Sequence, residues 1–127
     1  MLIMADNKKT ADFVGMLFLA RDVAHSTHLN TRNYAKHKSL QKFYENIIGL
    51  ADAYAEAYQG RHGLIGPITL SSAKKTTNVA EFLTDQLKEI EANRYKFCDK
   101  EDSTLQQLVD NIIELYLITL YRLKFLA

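Results

Sequence analysis

The chain is 127 residues long and 14.5 kDa, the size of one domain, and its 47% hydrophobic and 24% charged content excludes the disordered and fibrous classes. Sixteen basic against fifteen acidic side chains leave a formal charge of +1, which excludes nucleic-acid binding announced by charge alone. One Pro and five Gly, with Gly60, Gly63, Gly66 and Pro67 inside one eight-residue stretch, exclude a sandwich of short strands and predict long helices around a single major break.

Residues 1–9 are expected to form a flexible N-terminal tail. A first helix is expected to start between Thr10 and Asp12, both good N-cap types, and to run to about Asn30. Its first half, Phe13-Val14-Gly15-Met16-Leu17-Phe18-Leu19, is apolar nearly all round, which predicts a place deep in a bundle or at a contact between copies. A polar link from Thr31 to Lys36 leads to a second helix over His37 to Tyr58. Leu40, Phe43, Tyr44, Ile47, Ala51, Tyr54 and Tyr58 form its buried stripe. Gly49 inside this helix is unfavourable by about 1 kcal/mol relative to Ala, so a neighbouring helix is expected to pack closely there.

The segment from Gly60 to Thr76 is long enough to cross a bundle end to end. A third helix is expected from Thr77 or Asn78 to between Tyr95 and Phe97, followed by a tight polar turn at Asp99-Lys100-Glu101-Asp102. The last helix opens with Ser103-Thr104-Leu105-Gln106, a capping-box pattern, and continues through Ile112, Tyr116 and Leu120 almost to the end. Two helices, a long crossover and two more helices make an all-α four-helix bundle of the ferritin-like kind, in one domain over residues 1–127.

The lone cysteine, Cys98, cannot form an internal disulfide and is expected to be a buried small hydrophobe. The N-terminus lacks the basic region and long apolar core of a signal peptide, and Glu114, Arg122 and Lys124 interrupt the apolar C-terminal stretch. A cytoplasmic protein with no membrane span is expected.

His25, His28 and His37 lie within thirteen residues, and Asp52 and Glu56 follow on the second helix. His25 with His28, three apart, and Asp52 with Glu56, four apart, each share a helical face. Mixed imidazole and carboxylate ligands suit iron, manganese or zinc. Yet His37 and Asp52 are fifteen residues apart on one helix, which at about 1.5 Å per residue is roughly 22 Å. One chain cannot bring them to the same ion. Two copies of the second helix packed antiparallel about a two-fold axis near residues 45 and 46 bring His37 of one level with Asp52 to Glu56 of the other.

The run His25-Ser26-Thr27-His28-Leu29-Asn30, then His37, then Asp52-Ala53-Tyr54-Ala55-Glu56 resembles the Dps-like mini-ferritins of the ferritin-like superfamily. The resemblance covers roughly residues 13 to 67. It implies an iron-binding protein with a di-iron ferroxidase centre at a two-fold subunit interface, and twelve subunits in a hollow shell that stores ferric oxide. The ligands so implied are His28 or His25, His37, Asp52 and Glu56. Gln41 stands four residues after His37, where the family usually has a carboxylate, and the step from His28 to His37 is shorter than the usual loop. The chain also lacks a lysine-rich tail, so the DNA binding of some members is not implied. Whether the chain is an enzyme that oxidises Fe(II) with peroxide or oxygen stays open. The alternative is a ferritin-like oligomeric interaction protein, for instance a virus-encoded one, without full ferroxidase chemistry.

Overall fold

The computed structural model describes residues 6–73 and 78–126. The fold is all-α, with helices α1 (Asn7–Asn30), α2 (Tyr34–His62), α3 (Val79–Phe97) and α4 (Ser103–Phe125) and no strand among the described residues.

Side-chain caps set the helix ends, and three of them fall where periodicity alone did not put them. Helix α1 begins at Asn7 because the Asp6 carboxylate accepts from the Lys8 N–H at 2.7 Å and from the Lys9 N–H at 3.4 Å. The Asp6 N–H in turn donates to the Lys96 carbonyl at 3.0 Å, which ties this start to the end of α3. Residues 7–9, expected in a flexible tail, are therefore helical; residues 1–5 of that tail lie outside the described residues. Asn33 caps α2 through the Lys36 N–H, so α2 starts three residues before His37. It then runs through Gly60 and stops only at Gly63, whose φ of 90° ends the helix at little cost for glycine. The expected capping box at Ser103 does not form. Asp102 caps α4 through the Leu105 N–H, and the Gln106 amide reaches back to the carbonyls of Cys98 and Asp99. The third helix agrees with expectation, with Asn78 as its cap and Phe97 as its last residue; Thr77, the other start considered, lies outside the described residues.

Helix α1 packs along α2 and α3, α4 packs along α2 and α3, and the backbones of the diagonal pairs stay apart, bridged between α2 and α3 by the side chain of Tyr54 at Phe97. Cross-helix partners give the directions. Gln86 reaches Met16 while Thr10 reaches Phe97, so α1 and α3 are antiparallel. Phe43 meets Tyr116 while Arg61 meets Asp102, so α2 and α4 are antiparallel as well. Phe13 against Tyr54 and His28 against His37 make α1 and α2 antiparallel, so α2 and α3 run the same way on opposite corners. The chain leaving α2 must therefore travel the length of the bundle before α3 can start. Residues 63–78 suffice, since an extended chain covers about 3.3 Å per residue or roughly 50 Å in all.

This crossover lies on α1. A Cβ on Gly15 would collide with the Thr69 carbonyl oxygen and come within 3.4 Å of Ile68, so glycine in the middle of α1 is what lets the strap close down. It also explains the all-round apolar start of α1: the bundle covers Phe13, Val14 and Leu17, while Met16 and Leu19 border a groove shared with Thr69. Gly49, expected at a close helix contact, faces solvent instead, and a methyl group added there would meet no neighbouring atom within 4 Å.

All four helices feed one core that includes Leu17, Phe43, Ile47, Tyr54, Leu83, Ile90, Ile112 and Tyr116. Hydrogen bonds join its polar groups across helices. The Tyr116 hydroxyl donates to Gln86 at 2.7 Å and the Gln86 amide donates to the Met16 carbonyl at 3.1 Å, joining three helices. The Tyr54 hydroxyl donates to the Phe97 carbonyl at 2.7 Å. Burial raises the pKa of both tyrosines, which keeps them as donors.

Candidate functional site

The three clustered histidines come together where α1 hands over to α2. His28 is buried in the last turn of α1 and His37 is half-buried in the first turn of α2, and their rings stack with centroids 3.6 Å apart. His28 Nδ1 is 2.7 Å from the His37 carbonyl oxygen, and His37 Nδ1 is 2.8 Å from the His28 carbonyl oxygen. A carbonyl oxygen can only accept, so both Nδ1 atoms carry a proton. Each imidazole thus closes the turn by bonding the other's backbone, and Nε2 of each ring is left for any further partner. Tyr44 extends the cluster: His25, on the exposed side, stacks on it at 4.2 Å, and His28 meets its edge at 5.1 Å.

The two carboxylates are elsewhere. Asp52 and Glu56 are both exposed on α2, one turn apart, and the straight run of the helix keeps Asp52 roughly 22 Å from His37 by rise alone. Gln41 donates to Glu45 at 2.9 Å on its own helix. Among the described residues no group of three or more His, Cys, Asp or Glu side chains stands close enough to hold a metal ion. His25, His28, His37, Asp52 and Glu56 therefore do not fit an iron centre within one chain, as the helix geometry required. His62, in the last turn of α2, lies against Tyr58 with centroids 4.5 Å apart, and its Nε2 is 3.7 Å from the Asp99 carboxylate.

A second feature escaped the reading of motifs. The outer face of the C-terminal half of α4 carries Leu117 (54% exposed), Ile118 (39%), Tyr121 (55%) and Phe125 (73%). Leu117, Tyr121 and Phe125 are spaced by four and line one face. Solvent-facing apolar side chains grouped in this way mark contact surfaces in soluble proteins. The signal was present in the sequence: Leu117, Ile118, Leu120, Tyr121 and Leu123 cover more of the helix circumference than one buried stripe needs. Among the described residues no helix is long and apolar enough to cross a membrane.

The model of DUF5856, a family of unknown function, matches residues 28–123 of the chain. An uncharacterized 14.6 kDa protein from the mobD-ri intergenic region of Enterobacteria phage T4 is 25% identical over 118 residues, covering 93% of this chain and 87% of that protein. No solved structure matches.

Proposed function

This chain belongs to the DUF5856 family, whose function is unknown, and we propose that it is an interaction protein on a ferritin-like bundle that self-associates through the outer face of α4. The observation that carries the proposal is the exposed row Leu117, Tyr121 and Phe125 with Ile118 beside it. The end-to-end crossover between α2 and α3 supports the ferritin-like class, in which one such connection links two helix pairs. Similarity to a phage protein supports the virus-encoded part of this reading.

Measurement of the mass in solution tests this reading. A dimer or larger species is expected, and Leu117→Glu with Tyr121→Glu should yield a monomer with unchanged helix content. A wild-type chain that stays monomeric at high concentration defeats the proposal.

A second reading, an iron site built between copies, has one observation in its favour. The paired Nδ1–H bonds of His28 and His37 are the kind of outer-shell contact that orients imidazole ligands, leaving Nε2 for a metal. In that reading Asp52 and Glu56 come from the other copy and Fe(II) is the substrate. Anaerobic Fe(II) titration followed by oxygen or peroxide distinguishes the two. Stoichiometric binding and rapid oxidation, both abolished by Asp52→Ala with Glu56→Ala, favour the iron site, as does an assembly of twelve copies.

A further inference from the structure

The charge of this chain, nearly zero in sum, is unevenly placed. One end of the bundle is formed by the α1–α2 turn, the start of α3 and the end of α4. Within residues 26–38, 78–82 and 119–126 it carries Arg32, Lys36, Lys38, Arg122 and Lys124 against the single carboxylate of Glu81. The chain as a whole holds sixteen basic and fifteen acidic groups, so the remainder is net acidic and the polarity belongs to this end.

The same end holds apolar side chains open to solvent. Leu29 is 69% exposed and Tyr34 is 64% exposed, on either side of the turn. The pairing of Phe43 with Tyr116 sets the register of antiparallel α2 and α4. Tyr34 lies nine residues before Phe43, and Phe125 lies nine residues after Tyr116, so Tyr34 and Phe125 stand at one level with Leu126 just beyond. A shallow recess of about 340 Å³ opens at this end, lined by Thr31, Arg32, Asn33, Tyr34, His37 and Lys38. The Lys38 ammonium lies 5.9 Å from the centroid of the Tyr34 ring, so cation and aromatic share one surface.

We propose that this end of the bundle docks on an anionic lipid surface, with Leu29 and Tyr34 entering the headgroup boundary and Arg32, Lys36 and Lys38 meeting lipid phosphates. Neither signal is sufficient alone, because a few apolar side chains or a few cations hold a protein to a bilayer only weakly, whereas the two together give stable attachment. The aliphatic and aromatic members favour lipid over nucleic acid: a phosphate backbone rewards the cations but offers nothing to Leu29 or Leu126. The surface shares Phe125 with the self-associating row, but the residues that carry the lipid contact, Leu29, Arg32, Tyr34, Lys36 and Lys38, lie on the α1–α2 turn and the start of α2, so it goes beyond the self-association proposed above and its variants test it separately.

Co-sedimentation of the full chain with vesicles decides the matter. Binding is expected to vesicles of phosphatidylcholine mixed with phosphatidylglycerol, to weaken as salt is raised, and to be lost on phosphatidylcholine alone. Lys36→Glu with Lys38→Glu should reduce binding by about tenfold or more, since each cation near an anionic surface contributes about fivefold. Leu29→Ser with Tyr34→Ser should reduce it on the same vesicles while far-UV circular dichroism is unchanged. Arg122→Glu with Lys124→Glu, at the end of α4, repeats the charge test should the first pair fail to fold. No binding, equal binding to both vesicle types, indifference to these charge reversals, or capture by duplex DNA in preference to anionic vesicles overturns the proposal.

Discussion

Asp102 shows how much one side chain decides. It caps α4 through the Leu105 N–H at 3.1 Å and receives Arg61 Nε at 2.9 Å, so it joins the end of α2 to the start of α4. Burial pushes its pKa up, but the hydrogen bonds from Arg61 and the Leu105 N–H outweigh this and hold it below the ordinary value of 3.8. A carboxylate with a lowered folded pKa binds fewer protons when folded than when unfolded. Its contribution is therefore complete above the ordinary value and fades as the pH drops through that value towards the folded one. Asp102→Ala is expected to cost about 1 kcal/mol of stability at neutral pH, measured by urea unfolding, and to remove this part of the acid sensitivity. Cys98 presents the opposite case. It is fully buried, and burial pushes its thiol up to about 11 despite the Tyr54 hydrogen bond and nearby Arg94, which pull the other way. Ellman's reagent at neutral pH should label it only at the rate of unfolding, and rapid labelling of the native protein is the result that contradicts this. Burial of Cys98 was legible from its type and its lack of a partner. The mutual backbone bonds of His28 and His37 were not, because the eight residues between them carry no periodic signal for a turn of that shape.

Among the elements, the crossover and α1 depend on each other. Gly15 is the position where the strap comes closest, and there glycine serves the packing although it weakens the helix. At an open helical site, Gly→Ala gains about 1 kcal/mol from propensity. At Gly15 the added methyl meets the Thr69 backbone, which cannot rotate away as a side chain can, and overpacking of this kind costs about 1 to 3 kcal/mol. Gly15→Ala is expected to lower the melting temperature and to speed proteolysis in residues 63–73. Gly49→Ala, with open space around it, should raise the melting temperature instead. Both glycines stand inside helices, and the sequence offered no way to tell which one touches something: Gly49 invited the close-packing reading and Gly15 owns the contact. The difference lies in Thr69, more than fifty residues further along the chain. Helix starts were legible to within a few residues from apolar spacing, and at Asn78 to the residue; Asp6, Asn33 and Asp102 are equally ordinary cap types, but Thr10, Asp12 and Ser103 offered the same chemistry nearby. The choice of Asp102 over Ser103 came from Arg61, a residue of another helix.

Across the molecule, one core shared by all four helices holds the fold together, and the interaction-protein reading, which needs no metal, leads to a further expectation. Removal of divalent metals with a chelator should leave the melting temperature of the assembled protein unchanged, because a bound metal stabilises the fold only where the native state holds it. A drop on chelation that is restored by Fe(II) would instead favour the iron site between copies. The sequence by itself determined the all-α class, the four helices, the buried stripe of α2 and the long break before α3, since apolar spacing, cap residues and the clustering of Gly and Pro are local properties. Its histidine and carboxylate spacing also showed that the proposed ligands cannot meet in one chain, because helix rise is the same wherever the helix sits. Only the tertiary structure decided what covers each face. It laid the crossover on Gly15, stacked His28 on His37, left Leu117, Tyr121 and Phe125 uncovered, and gathered five cations at one end. Each of these outcomes depends on residues far apart in the chain arriving at the same level, and that follows from helix direction and register rather than from any local pattern.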